Sequence, residues 1–303
     1  MVMENVLRNA IDMHIHCAPD TGPRYGDSVE IARIARDAGM RAIVVKDHLT
    51  QTVHKASITN ELVPGFTCFG AAAMNLPNGG LSPRAAAFFT ALGAKVIWLP
   101  TMDSEFTWLK AGHGHYDAIY ATRNAYGIDY PKLTLLTEGM YKGRLREEVK
   151  QIVGEVAKAE AVLCSGHHTP EETIALMEYV KSIGFRRALV THANAFLEEF
   201  TPAVLDRLVD LGAILEISNG VLVPLHGRQD PREVVKIIRQ VGADRIVLVS
   251  DAGQLENPSP PEALRSFCHI LIKEGITFEE IKKMIVQNPT RLLNLEPVKE
   301  EGK

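Results

Sequence analysis

Short β-branched runs recur along this chain, and stretches with the 3.6-residue period of a helix separate them. Eight runs read as strands: 11–16 (IDMHIH), 42–48 (AIVVKDH), 66–73 (FTCFGAAA), 94–100 (AKVIWLP), 161–166 (AVLCSG), 187–192 (RALVTH), 213–218 (AILEIS) and 245–250 (RIVLVS). Between them lie helical patterns such as SVEIARIARDAG, SPRAAAFFTALG and DPREVVKIIRQVG. Several helices finish on a glycine just before the next strand, at Gly39, Gly93, Gly184, Gly212 and Gly242. Glycine is the usual helix stop, because it accepts the left-handed conformation there.

Strands that alternate with helices imply a parallel sheet covered by helices. Eight such units with right-handed crossovers favour closure into an α/β (β/α)8 TIM barrel over an open sheet. The 303 residues suit one barrel domain spanning 1–303, of about 250 residues plus insertions. One unit is overlong. About 60 residues separate the fourth and fifth strands, with a hairpin expected around LTLLTEGMYKG. An insertion after a strand emerges on the catalytic face of a barrel, so residues 103–143 read as a partial lid.

The composition narrows the class. The net charge of −4 argues against a broad nucleic-acid surface or an anionic membrane as partner. No apolar run approaches the roughly 20 residues of a membrane span, and MVMENVLRNA lacks a signal-peptide core. Cys17, Cys68, Cys164 and Cys268 are scattered, which reads as a cytoplasmic protein with reduced thiols.

In a parallel barrel, ligands sit where the strands end. This chain places His14, His16, His48, His167, His168, His192 and Asp251 at those positions. Strict alternation puts Asp12, His14 and His16 on the inner face, with Met13 and Ile15 toward the helices. Paired imidazoles at a barrel mouth are costly unless they bind something, and a divalent cation is the usual occupant. The ordered set predicts a metal site: HxH on the first strand, His after the fifth and sixth, Asp after the eighth. Glu216, in the middle of AILEIS, is costly to bury unpaired, which suggests a partner for a ligand histidine or for substrate. His48 is a further site candidate, while His54, His113, His115, Asn75, Asn194 and Arg24 are weaker ones.

At these residues the chain resembles the amidohydrolase superfamily of metal-dependent hydrolases. The matching elements are DMHIH, SGHHT, THAN and SDAG, with NPTRLLNL similar to the superfamily's C-terminal close. The resemblance covers Asp12 to Leu295, and the early first strand places the chain nearest the compact phosphotriesterase-like and TatD-like branch, within an uncharacterised subgroup. It implies that His14, His16 and Asp251 hold one metal. His167 and His192 would hold a second, or one of them would join the first metal or the substrate. Asp251 would take a proton from the attacking water, with His192 beside it in the catalytic set. The implied ion is zinc, with manganese, iron or nickel as alternatives, in one or two copies. Binuclear members usually bring a bridging lysine or glutamate from the fourth strand, but here that strand ends WLPTMD. Lys46, Asp103 and Glu105 are the substitutes the sequence offers.

The expected function is hydrolysis of an ester, lactone, amide or phosphoester bond in a small molecule. A metal-assisted decarboxylase on the same site is the alternative, followed by a metal-binding barrel without catalysis. The partners expected are a small-molecule substrate and further copies of the chain, with neither nucleic acid nor membrane.

Overall fold

The computed structural model describes residues 5–20, 22–111, 132–195, 197–222 and 229–298. Their strands are β1 (Ile11–His16), β2 (Ala42–Lys46), β3 (Thr67–Phe69), β4 (Ala71–Ala73), β5 (Val96–Trp98), β6 (Val162–Cys164), β7 (Ala188–Val190), β8 (Ile214–Ser218) and β9 (Ile246–Val249). All neighbouring pairs are parallel, in the orders β1-β2-β3 and β4-β5-β6-β7-β8-β9. The run 66–73, read as one strand, is broken at Gly70. A Cβ there would stand 2.4 Å from the Val53 Cα, so the strand bends under the start of the preceding helix, Val53–Leu62, and its ladder is interrupted. With β3 and β4 counted as one stave, the strands are the eight of a (β/α)8 barrel. A parallel bridge between Ile15 and Ala252 brings the end of β9 back to β1, with Asp251 N donating to His14 O at 3.0 Å and His16 N to Ala252 O at 2.8 Å.

The interior of the ring is lined by Ile11, Met13, Ala42, Val44, Ala71, Ala73, Val96, Trp98, Val162, Cys164, Val247 and Val249. Leu292 and Leu293, from the NPTRLLNL segment, pack into that interior cluster. Asn288 holds this segment to the strand bottoms by donating to Ala243 O and Ile246 O. The larger apolar cluster lies between strands and helices, where Ile15, Ile43, Val45, Leu163 and Leu248 meet Ile31, Ile152, Leu176, Leu208 and Phe267. The five helix-terminal glycines all have positive φ.

Strict alternation fails on β1. The register against β2 slips between Asp12 and Ile15, which leaves one extra residue in β1. Met13 therefore joins the interior cluster, while Ile15 joins the outer one. The slip lets two histidines at spacing two face the mouth above an apolar floor. Asp12 turns to the β1–β9 seam, where it accepts from His14 N at 3.2 Å and from Ser250 N at 3.2 Å. It thus occupies two backbone N–H groups around the slip.

Burial pushes the Asp12 carboxyl up to about 7, against the lowering pull of those N–H groups. A carboxyl raised in the folded state stabilises the fold fully below its unfolded value near 4. That stabilisation is lost as pH rises through about 7. Metal-free protein should therefore lose on the order of a few kcal/mol between pH 5 and pH 8 through this group. Asp12→Asn should be spared that loss. Urea unfolding at both pH values measures the gap, and a gap that stays constant contradicts this role.

In the inserted stretch, residues 133–143 form no regular strand, but Leu136 bridges Leu145 antiparallel and Thr137 N donates to Arg144 O, giving a hairpin-like turn. Its root is fixed by Glu172, a buried carboxylate that accepts from Leu135 N at 2.7 Å and closes the capping box with Thr169. His113 and His115 lie outside the described residues.

Candidate metal centre

Six strands, at or beyond their ends or from within, contribute one or two polar side chains each to a single point above the Trp98 indole. His14 and His16 come from β1, Lys46 from the end of β2, His167 from the loop after β6, and His192 from the loop after β7. Glu216 projects from the middle of β8, with the same parity as Ile214 of the interior cluster. Asp251 follows β9. His192 and Asp251 both have φ of 53°, a left-handed conformation that a non-glycine residue adopts at a cost. Strained backbone at the ends of β7 and β9, the two strands that flank β8, aims both side chains inward instead of letting them continue the ladder.

Asp251 is the hub. Its Oδ1 lies 3.3 Å from His14 Nε2 and 3.3 Å from His16 Nε2, and its Oδ2 lies 3.8 Å from His192 Nε2. The Ser218 hydroxyl is 3.4 Å from the same Oδ2. Behind the imidazoles, Glu216 Oε1 sits 3.2 Å from His14 Nδ1 and 3.2 Å from His192 Nδ1. His14 Nδ1–H donates to Glu216, which leaves the Nε2 lone pair pointing at the hub. Lys46 Nζ is 3.0 Å from that Nε2 and 5.3 Å above the Trp98 ring. His167 stacks obliquely on His192 with centroids 5.1 Å apart, and His48 stacks on His16 at 5.0 Å.

Two sets of atoms among the described residues are close enough together to hold an ion: His14, His16 and Asp251, and His14, His192 and Glu216. The donor chemistry fits a divalent cation of the zinc type. Buried His16 Nδ1, His167 Nε2 and Glu216 Oε2 make no hydrogen bond, which is costly for polar atoms unless something else engages them. Burial holds His16, His48 and His167 well below the usual imidazole range and His192 down to about 4, so these rings are neutral at pH 7. Burial alone would raise Asp251, but His14, His192 and His16 outweigh it and hold the carboxyl well below the ordinary range. Neutral imidazoles and an ionised carboxylate are the protonation states a metal requires.

The remaining expectations separate. Lys46 enters the cluster, whereas Glu105 opens the helix Glu105–Ala111 and faces the turn at Gly139, where a Cβ would be 4.0 Å from its Oε2. His168 turns from the hub to Glu172, at 3.4 Å. Exposed His54 bonds Gln51. Arg24 pairs with Asp20 on the loop after β1. Asn75 and Asn194 serve the backbone at the mouth: Asn194 ties Ser218 N and Ser218 O to the end of β7. Three hydroxyls went unnoticed in the sequence, those of Thr101, Thr107 and Ser218. Ser218 was within reach of the alternation argument, since it shares parity with Glu216.

Comparison with known proteins places these observations. The model of the DUF6282 family, a family of unknown function, matches residues 9–216. No curated protein matches the chain. Among solved structures, an amidohydrolase from Pseudomonas aeruginosa is 13% identical, with 96% of this chain and 97% of that chain covered and a TM-score of 0.61. A probable 2-pyrone-4,6-dicarboxylic acid hydrolase from Acinetobacter baumannii, solved with citric acid bound, is 12% identical, covering 95% and 100% with a TM-score of 0.61. A 2,6-dihydroxybenzoate decarboxylase in complex with 2,6-dihydroxybenzoate is 11% identical, covering 95% and 100% with a TM-score of 0.56. At such identities the likeness establishes the fold, that of the amidohydrolase-type barrel.

Proposed function

The chain belongs to the DUF6282 family, and we propose that it is a metal-dependent hydrolase cleaving an ester, lactone, amide or phosphoester bond of a small molecule. One observation carries the reading: three imidazole Nε2 atoms, two from β1 and one from the loop after β7, lie within 3.3 to 3.8 Å of a single ionised carboxylate, Asp251. His14, His16 and Asp251 would hold one ion, and His167 with His192 would complete its shell or hold a second. Zinc or a similar divalent ion would supply Lewis-acid polarisation of the scissile group and activation of water.

The chain's own groups divide the remaining work. Asp251 accepts a proton at Oδ2, the oxygen that the Ser218 hydroxyl steadies, and can return it to the leaving group. Glu216 keeps the His14 proton on Nδ1 and steadies His192 electrostatically. Lys46 offers the one positive side chain within contact of this cluster among the described residues, suited to an anionic oxygen of substrate. Trp98 lies buried beneath the cluster, its ring 5.4 Å from that of His14. We place the protein in the cytoplasm, on its four buried free thiols. No helix among the described residues is long and apolar enough to cross a membrane.

Chelation should abolish hydrolysis across a panel of lactone, ester, amide and phosphoester substrates, and zinc should restore it. His14→Ala should not be restored. Full turnover by metal-stripped protein contradicts the reading. The structural neighbour that decarboxylates an aromatic acid supports a second reading, a lyase on the same residues. Release of CO₂ without addition of water would select it.

A further inference from the structure

His48 and His167 look alike at first. Each is a buried imidazole at the mouth with Nδ1 against a threonine hydroxyl, His48 on Thr101 at 3.1 Å and His167 on Thr107 at 3.2 Å. The hydrogen-bond chains behind the two threonines run in opposite directions.

Behind His48 stands Asn75. Its Oδ1 accepts from the backbone N–H groups of Thr101 at 2.9 Å and Asp103 at 3.2 Å. Backbone N–H groups can only donate, so the orientation of this amide is decided. Its Nδ2 must then be the group that donates to His48 O at 2.9 Å and to Thr101 Oγ1 at 2.9 Å. Having accepted from Asn75, the Thr101 hydroxyl has His48 Nδ1 as the acceptor for its own proton. The reverse arrangement would leave that buried hydroxyl proton unpaired, which a buried donor does not tolerate without cost. His48 therefore accepts at Nδ1 and carries its proton on Nε2.

Behind His167 the order is inverted. Thr107 Oγ1 lies 2.7 Å from Thr101 O, a carbonyl that can only accept, so the hydroxyl proton is committed there. Ser104 Oγ, itself accepting from Thr107 N, donates to Thr107 Oγ1 at 2.9 Å. Toward His167 the threonine oxygen is an acceptor. The ring carries its proton on Nδ1, and its buried Nε2 is left as a bare lone pair with no partner among the described residues.

We propose that Thr101 and Thr107 set opposite tautomers in these two imidazoles, so that His167 presents a lone pair to a cation while His48 presents an N–H to an oxygen of substrate. His48 is then a specificity residue for a carboxylate or carbonyl oxygen, and not a ligand, although it is stacked on His16. The threonines are positioning residues. The tautomers stand independently of the function proposed above; the substrate role of His48 rests on it.

Metal-free protein with ¹⁵N-labelled histidine tests the tautomers by nuclear magnetic resonance. His48 should be protonated on Nε2 and His167 on Nδ1. Thr101→Val should disturb His48 alone, and Thr107→Val should disturb His167 alone. A proton on His48 Nδ1, or a His48 signal indifferent to Thr101→Val, overturns the assignment. Zinc-loaded protein titrated with benzoate tests recognition. His48→Leu should weaken benzoate by about tenfold or more, the scale of one hydrogen bond to a charged group, while His48→Gln keeps an N–H and should stay near wild type. Zinc affinity should be unchanged in both variants. Zinc binding with benzoate indifferent to His48, or with no benzoate bound at all, overturns the recognition role and leaves the metal reading intact. Failure of the wild type to bind zinc instead defeats the metal reading and leaves the tautomer result standing.

Discussion

Asp251→Asn is expected to lower kcat by about a thousandfold, within the range seen when a positioned proton acceptor is removed, while the protein keeps its fold. The carboxylate is asked to do two things, to hold an ion with His14 and His16 and to take a proton at Oδ2. Asparagine retains an oxygen of the same reach but cannot accept the proton at neutral pH. The substitution is also the one the backbone best tolerates. Asp251 sits at φ 53°, and asparagine is the side chain other than glycine that most readily adopts that conformation. The bond from residue 251 N to His14 O, at 3.0 Å, is unaffected by the change. Unfolding in urea, zinc content and kcat measured on one preparation separate the roles. A variant that is folded, retains zinc and turns over within tenfold of wild type would show that the proton goes elsewhere.

Glu216→Leu should weaken zinc by about 10- to 100-fold, as loss of an outer carboxylate does at histidine sites. Glu216 touches the far nitrogens of two imidazoles at once, and without it nothing else shown in the structure holds the Nδ1 proton of His14. Burial alone would raise this carboxyl. The bond and charge from His14, with His192 and Lys46, hold it below the ordinary range, so it is ionised at pH 7. Its removal also takes one counter-charge from Lys46, whose burial already pulls its pKa down and whose charge Asp251 and Glu216 support. Breaking such a buried arrangement on one side costs on the order of 3 kcal/mol in the metal-free protein. Glu216→Gln, which keeps one acceptor oxygen for His14, should fall between leucine and wild type in both measurements. Isothermal calorimetry with zinc and urea unfolding provide the two numbers. Equal zinc affinity for all three proteins would reduce Glu216 to a packing residue.

Much of this site could be read from residue order, because barrel topology converts strand ends into neighbours. His14, His16, His167, His192 and Asp251 are up to 237 residues apart in sequence, yet their rings and carboxylate gather at one mouth. Glu216 was legible for a different reason, since a carboxylate inside ILEIS must find a partner. The slip on β1 was not legible. Alternation put Asp12 inside and Met13 outside, and only pairing against β2 shows the extra residue. The break at Gly70 depends on the approach of Val53, a contact between elements that a strand pattern does not contain. Lys46 could be placed by parity with His48, but its approach to His14 needed coordinates. The tautomer relays were hidden because threonine is unremarkable by composition. Thr101 and Thr107 matter through what stands behind them, Asn75 and Ser104, and those contacts cross loops.

The most direct test of the account is zinc stoichiometry by elemental analysis, on protein stripped with chelator, reloaded and desalted. Wild type should retain at least one ion per chain, His14→Ala and His16→Ala substantially less, and His54→Ala, altered at an exposed histidine, as much as wild type. Retention that is negligible in wild type, or that is the same in all four proteins, would contradict a metal centre at these strand ends.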